Sequence, residues 1–395
     1  MESFFRYRLE GMGHRSVDAK TRSSSIEIYG TAHQHALEIS GILTNLFKKL
    51  NEMFAPLHFD CIQVEVSSVC NASCPYCVQA CYKDHWEGGL MDMRTFARLE
   101  PGFSMADMVF LQGWGEPLLH PKFWQMVRRV KSSGVKVGFT TNGTRLDVDD
   151  LSQLLDSGVD IMGVSLAGIA PDTHERLRKG CDFGHVDAAL RKLKEMKEGH
   201  HSKGPRVHIA FMLLRSNRHE LEQLPRRAAE WGVRQIVVSH LNLIGSEAMQ
   251  EESLLAHPEL WLEVAASLER AKEQAAERGI ELYYHAPELE KPCPLCTENV
   301  LRACFVSYRG NVSPCVATNL SVKEGAAPLY YFNDQAYPLE NYIFGNINES
   351  SLREIWNSPK ASKFRADFEK RLEMEDPGMR CLAAPCQHCY KLLER

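Results

Sequence analysis

Cys70, Cys74 and Cys77 place three thiols within eight residues, spaced C-x3-C-x2-C. Ile62 to Val66, just upstream, reads as a strand, so the thiols fall in the loop it feeds. A cubane iron–sulfur cluster takes four thiolates when fully ligated. Three sulfurs in so short a loop can hold three irons and leave the fourth bare. A bare iron is open to a small chelating molecule, as catalytic metal sites keep a position that structural sites close. The plainer alternative is a zinc knuckle short of one ligand. It fits less well, because zinc ribbons pair C-x2-C with C-x2-C.

Downstream the chain alternates strand and helix. Strands are expected at 108–111, 136–140, 161–165, 206–213 and 235–240, with a short closing strand at 280–284. Helices are expected at 122–132, 149–155, 220–231 and 258–277. This alternation favours a parallel sheet with helical crossovers. The expected fold class is α/β: a partial (β/α)6 TIM-type barrel, followed by a small cysteine-rich C-terminal α+β domain. Ligands of such barrels gather at the carboxyl ends of the strands. Four polar or glycine-rich segments end strands here: the cysteine loop, Gln112-Gly113-Trp114-Gly115-Glu116-Pro117, Thr140-Thr141-Asn142-Gly143 and Val164-Ser165-Leu166-Ala167-Gly168.

With Tyr76 directly before the third cysteine, these segments resemble in order and spacing the radical S-adenosylmethionine (SAM) superfamily, over roughly Ile62 to His285. The resemblance implies a [4Fe–4S] cluster with an open iron on Cys70, Cys74 and Cys77. It also implies SAM contacts: Tyr76 beside the adenine, Gly113 and Gly115 where the backbone approaches the ligand, Glu116 on the ammonium group, and Asn142 and Ser165 toward the ribose or carboxylate. The bland reading of Gly-x-Gly-Glu is a tight turn with a surface glutamate. His240 and Asn242, ending the sixth strand, are candidates for the cavity wall, with simple packing as the alternative. The implied chemistry is one-electron cleavage of the sulfonium to methionine and a 5′-deoxyadenosyl radical, which takes hydrogen from an unreactive C–H.

Beyond His285, Pro287, Pro292 and Pro294 interrupt any helix. Seven cysteines follow: Cys293, Cys296, Cys304, Cys315, Cys381, Cys386 and Cys389. Cys304 to Cys315 reads as a hairpin turning at Gly310. This part resembles the SPASM/twitch extension of radical SAM enzymes, which carries auxiliary iron–sulfur clusters. The hairpin is set against the family's C-x(9–15)-G-x4-C element through the ten residues between Cys304 and Cys315. The sequence ends six residues after Cys389, short of the fuller pattern. One auxiliary [4Fe–4S] cluster on Cys304, Cys315, Cys386 and Cys389 is therefore expected. Cys293, Cys296 and Cys381 are able to replace one of these or build part of a second site. A zinc site on Cys293/Cys296 and Cys386/Cys389 is the competing reading. Cys61, Cys81 and Cys181 read as bystanders.

These features divide the chain into an N-terminal helical extension (1–60, with an amphipathic helix over Ala36 to Phe54), a core (61–285) and an auxiliary domain (286–395). A net charge of −5 gives no electrostatic reason to expect nucleic acid, and no apolar run approaches a membrane span. Thirteen cysteines without an export signal point to the reducing cytoplasm. The expected function is a radical SAM oxidoreductase or maturase acting on a peptide, protein or cofactor precursor, including the accessory type of tungsten or molybdenum enzymes. Flavodoxin or ferredoxin is the expected electron donor. The alternatives are a radical SAM enzyme of small metabolites and a non-enzymatic iron–sulfur electron carrier.

Overall fold

The computed structural model describes residues 57–199, 204–287 and 291–394. The helix expected over Ala36 to Phe54 lies outside the described residues.

The first strand, β1 (Cys61–Val64), is buried along its whole length and runs into the cysteine loop. A single-turn helix, α1 (Val78–Cys81), follows that loop, then α2 (Met93–Phe103). The barrel continues as β2 (Met108–Leu111), α3 (Phe123–Ser132), β3 (Lys136–Thr141), α4 (Val148–Asp156) and β4 (Ile161–Leu166). Two helices, α5 (Pro171–Leu177) and α6 (Phe183–Gly199), lead to β5 (Arg206–Leu213). Then come α7 (Leu224–Glu230), β6 (Gln235–His240), α8 (Glu247–Glu252), α9 (Trp261–Glu277) and β7 (Glu281–Tyr284). Strands such as Met108-Val109-Phe110-Leu111 are apolar on both faces because parallel sheets with helical crossovers are covered on both sides. The helices need only one apolar stripe. In α3 it is Phe123, Met126, Val127 and Val130, all buried at helical spacing.

Strands β1 to β7 pair in parallel and in chain order, so the sheet is the expected α/β partial barrel with the short closing strand as its seventh member. The barrel stays open because the free edge of β1 is taken by β8 (Ala303–Val306), parallel to it, with Ile62 opposite Cys304. Gly310, at φ +85°, turns the chain into β9 (Asn311–Ser313), antiparallel to β8. A separate hairpin, β10 (Leu329–Phe332) and β11 (Gln335–Pro338), precedes β12 (Gly345–Asn346), which pairs with β9. Two helices, α10 (Leu352–Trp356) and α11 (Pro359–Leu372), pack beneath it, the first opened by a reciprocal Ser351–Glu354 capping box. The C-terminal cysteine-rich segment thus extends the barrel sheet directly.

The expected helix over 220–231 is divided. Residues Arg218–Gln223 form a 3-10 turn and α7 starts at Leu224, because Pro225 has no N–H for the preceding turn and suits the first turn of a new helix. The helices α2 and α6 were not expected from the sequence. Pro101 sits within α2, and the apolar stripe of α6 is diluted by charged residues.

Glu65, directly after β1, ties three strands together. Its carboxylate accepts hydrogen bonds from Trp114 N (2.9 Å) after β2 and from Tyr308 N (3.2 Å) after β8. Burial outweighs these two donors and pushes its pKa up to about 7. Between pH 4.5 and 7 the folded protein therefore holds a proton that the unfolded chain has released, and stability falls as pH rises through this window. The loss is of order 3 kcal/mol, at 1.36 kcal/mol per pKa unit. Urea denaturation at pH 5 and pH 8 should show this difference, and Glu65→Gln should flatten it.

Candidate active site

The cysteine loop is held by the ends of its neighbouring strands. Gly115 N donates to Ser67 O (3.2 Å), Glu116 N to Val69 O (2.9 Å) and Ser73 N to Lys179 O (2.7 Å). A Cβ on Gly115 would lie 2.4 Å from Val69 O and 2.6 Å from Ser67 O, so only glycine lets these backbones meet. A Cβ on Gly113 would lie 2.3 Å from Glu65 Cγ. Both glycines thus serve protein–protein approach, while Gly113 and Trp114 also border the cavity described below. Gly115→Ala should displace the loop and destabilise the fold by about 3 kcal/mol, the upper range for overpacking; a denaturation midpoint and an iron assay on the same sample measure both effects.

Glu116 is buried, not a surface residue. Its Oε1 accepts from Thr141 Oγ1 (2.7 Å) and Leu118 N (3.1 Å), and its Oε2 from Asn142 N (2.6 Å). Burial raises its pKa while these three donors act against the rise. The carboxylate fastens the ends of β2 and β3 to each other beside the loop. Asn142 reaches the loop itself: its Nδ2 donates to Asn71 Oδ1 (2.9 Å) and lies 3.8 Å from Cys70 Sγ. Ser165 stands half-buried on β4, opposite Ala210 of β5.

Cys70, Cys74 and Cys77 lie close enough for their charges to act on one another. Burial, and then the Cys74 charge, pushes Cys77 up to about 12; burial raises Cys70 as well. A cation beside Cys70 and Cys77 would act against these rises. One residue the sequence reading missed is Arg178, which follows α5. Its Nη1 donates to Tyr76 OH (2.7 Å), its Nε has no partner among the described residues, and its charge acts on Cys74. This buried guanidinium fixes the Tyr76 ring and offsets thiolate charge. No local spacing announces it, since the contact spans 102 residues.

Cys81, exposed, points away to Gly245 O (3.3 Å), and Cys61 packs on Met108 and Phe110. Cys181 is buried next to Arg178, where the charges of Cys74 and Cys70 reach it.

The second thiol group differs from the sequence expectation in one member. Cys296, Cys315, Cys386 and Cys389 line one cavity and are coupled by charge. Burial, then the Cys389 charge, pushes Cys296 up to about 12. Cys304 is not among them. On β8 its side chain joins the apolar core, and the thiol whose charge reaches it is Cys61, not a member of the quartet. The spacing contains the reason: thirteen residues separate Cys296 from Gly310, within C-x(9–15)-G, whereas five separate Cys304 from it. Cys293 bonds Glu394 O (3.3 Å), and Cys381 is exposed beside Gly378 O (3.5 Å). Among the described residues no three cysteine sulfurs lie within 4.8 Å of one another. One tetrahedral zinc would need sulfurs about 3.8 Å apart, given Zn–S bonds near 2.3 Å. Both thiol groups are therefore too wide, as they stand, for one tetrahedral zinc.

A cavity of about 370 Å³ is lined by Tyr76 and Cys77 of the first group and by all four C-terminal thiols. His240 and Asn242 are on its wall. Each is also held by the protein: His240 Nε2 meets His285 O (2.9 Å), and Asn242 Nδ2 donates to Glu394 Oε1 (2.9 Å).

Residues 64–247 match the radical SAM superfamily, and residues 296–390 match the SPASM iron–sulfur cluster-binding domain. The chain is a radical SAM enzyme with a SPASM domain. Its cofactors are the open-iron [4Fe–4S] cluster, SAM and auxiliary iron–sulfur. The SPASM match opens at Cys296, the first thiol of the cavity quartet. Among curated relatives of this radical SAM enzyme, a tungsten-containing aldehyde ferredoxin oxidoreductase cofactor-modifying protein from Pyrococcus furiosus is 28% identical over 77% of this chain and 82% of its own. A PqqA peptide cyclase from Xanthomonas axonopodis pv. citri is 24% identical over 76% of this chain and 74% of its own. In fold, the enzyme resembles Streptococcus suis SuiB bound to SAM (TM-score 0.60, 13% identity, covering 98% and 88% of the two chains). It also resembles anSMEcpe with bound SAM (TM-score 0.60, 16% identity, covering 84% and 93%).

Proposed function

We propose that this radical SAM enzyme is a maturase whose substrate, a peptide, protein or cofactor precursor, enters the cavity between the two thiol groups. One observation carries the reading: Cys77 and Tyr76 line the same cavity as Cys296, Cys315, Cys386 and Cys389. Cys70, Cys74 and Cys77 would hold the open-iron cluster, and the second quartet one auxiliary cluster. SAM bound at the open iron supplies the 5′-deoxyadenosyl radical that takes a hydrogen atom from the substrate. The protein's part is placement and exclusion of water. Tyr76, held by Arg178, is part of the wall, Asn142 and Glu116 set the loop, and Gly113 and Trp114 border the space where the methionine end is assigned. The curated relatives bear names of cofactor modification and peptide cyclisation, which supports this substrate class.

A flavodoxin or ferredoxin is the proposed electron donor. A surface groove lined by Cys70, Lys83 and Lys179 supports approach of an acidic carrier from the outer side of the loop. Among the described residues no helix is long and apolar enough to cross a membrane. All thirteen cysteines are free thiols, which supports a cytoplasmic, reducing location.

The test is anaerobic reconstitution with iron and sulfide, then dithionite and SAM. Formation of 5′-deoxyadenosine supports the reading, and an unchanged SAM pool with fully reduced clusters refutes it. An electron carrier would leave SAM intact.

A further inference from the structure

Two of the buried polar atoms without a partner among the described residues belong to the wall of the cavity: Glu298 Oε2 and Tyr330 OH. Glu298 is a carboxylate whose other oxygen lies 3.4 Å from Lys391 Nζ, so its need is for a donor. Tyr330 is the opposite case. Its phenol, with an ordinary pKa of about 10, carries a proton at neutral pH and requires an acceptor. The residue is 3% exposed, and the thiols whose charges reach it are Cys389 and Cys386. Two neighbouring tyrosine hydroxyls, by contrast, do have protein partners. Tyr390 OH accepts from Asn333 N (2.9 Å), and Tyr82 OH bonds both Leu329 and Gly245.

The backbone holds Tyr330 in place. Strand β10 pairs with β11, setting Tyr330 opposite Tyr337, and Tyr331 N donates to Ile244 O (2.8 Å) on the barrel. The hydroxyl therefore cannot swing to solvent without unpacking the hairpin. Buried hydroxyls without a protein acceptor are uncommon, and this one borders the cavity that the four thiols line. The sulfurs of an iron–sulfur cluster accept hydrogen bonds, and such bonds raise its reduction potential.

We infer that Tyr330 is a positioning residue of the auxiliary centre, donating its O–H to a sulfur on the Cys386/Cys389 side and raising the potential at which that centre takes an electron. This rests on the assignment of the quartet to one cluster. The bond makes the centre a better acceptor for an electron left on substrate after hydrogen abstraction.

The experiment uses the full-length C70A/C74A/C77A protein, so that only the auxiliary centre carries iron. Its midpoint potential is measured by anaerobic titration followed by electron paramagnetic resonance, with and without Tyr330→Phe. The expected result is a lower potential in the phenylalanine variant at unchanged iron content, with Tyr330→His, which keeps a donor, restoring part of the shift. Equal potentials with full iron overturn the inference while leaving the quartet intact. A parent protein without iron overturns the quartet assignment and this inference with it. Where Tyr330→Phe fails to load, electron–nuclear double resonance on the unsubstituted protein in H2O and D2O decides. A strongly coupled exchangeable proton supports the bond, and its absence overturns it.

Discussion

The C70A/C74A/C77A protein is expected to form no 5′-deoxyadenosine above background while retaining about four irons, one cubane's worth. The two thiol groups are carried by separate parts of the chain, so emptying one should not empty the other. The loop itself should persist. Its anchors are backbone bonds from Gly115, Glu116 and Ser73, none of which involves a thiol. Single-turnover product analysis and an iron assay on the same sample measure the outcome. Cleavage that survives would place the open iron elsewhere. About eight irons would mean that a second auxiliary centre exists among the remaining cysteines.

Cys296→Ala and Cys304→Ala should behave in opposite ways. The first removes a sulfur from the cavity quartet, so the auxiliary iron should fall by about four and its charge-transfer absorbance should disappear. The second trims a buried thiol on β8, where Cys304 is the ladder partner of Ile62 and joins the apolar core. It should leave the iron unchanged and lower stability by about 1 kcal/mol, typical of a point substitution. Iron loss in the Cys304 variant together with retention in the Cys296 variant would reverse the assignment.

Much of the barrel could be read from the sequence because its strands are short apolar runs that end in glycine or small polar residues. Met108–Leu111 and Gln235–His240 begin and end where expected. Pattern reading failed where one residue contradicts its own element. Pro101 within α2 is an example, as is the charged face of α6. The first thiol group was legible as a group because its three cysteines are local in sequence. The membership of the second group was not legible, because the cysteines that share its cavity come from before and after the β8–β9 hairpin and from the segment near Cys389. Spacing alone then leaves several cysteines to choose from, and the nearest to Cys315 was not the one that turns inward. Arg178 was invisible for the same reason: it meets Tyr76 only through the tertiary fold. The role of Glu116 also needed the structure. Its sequence context suggests an acceptor for a ligand, while its three protein donors make it a clasp between strand ends.

The lateral union of β8 with β1 has a practical outcome for anyone dissecting this molecule. A fragment ending before residue 286 would leave β1 with a bare row of amides and carbonyls, flanked by the apolar faces of Ile62 and Val64. Such rims recruit strands from other copies. The barrel cut free of its partner is thus expected to come out of cells as aggregate, and catalysis should be studied only on material that keeps both halves.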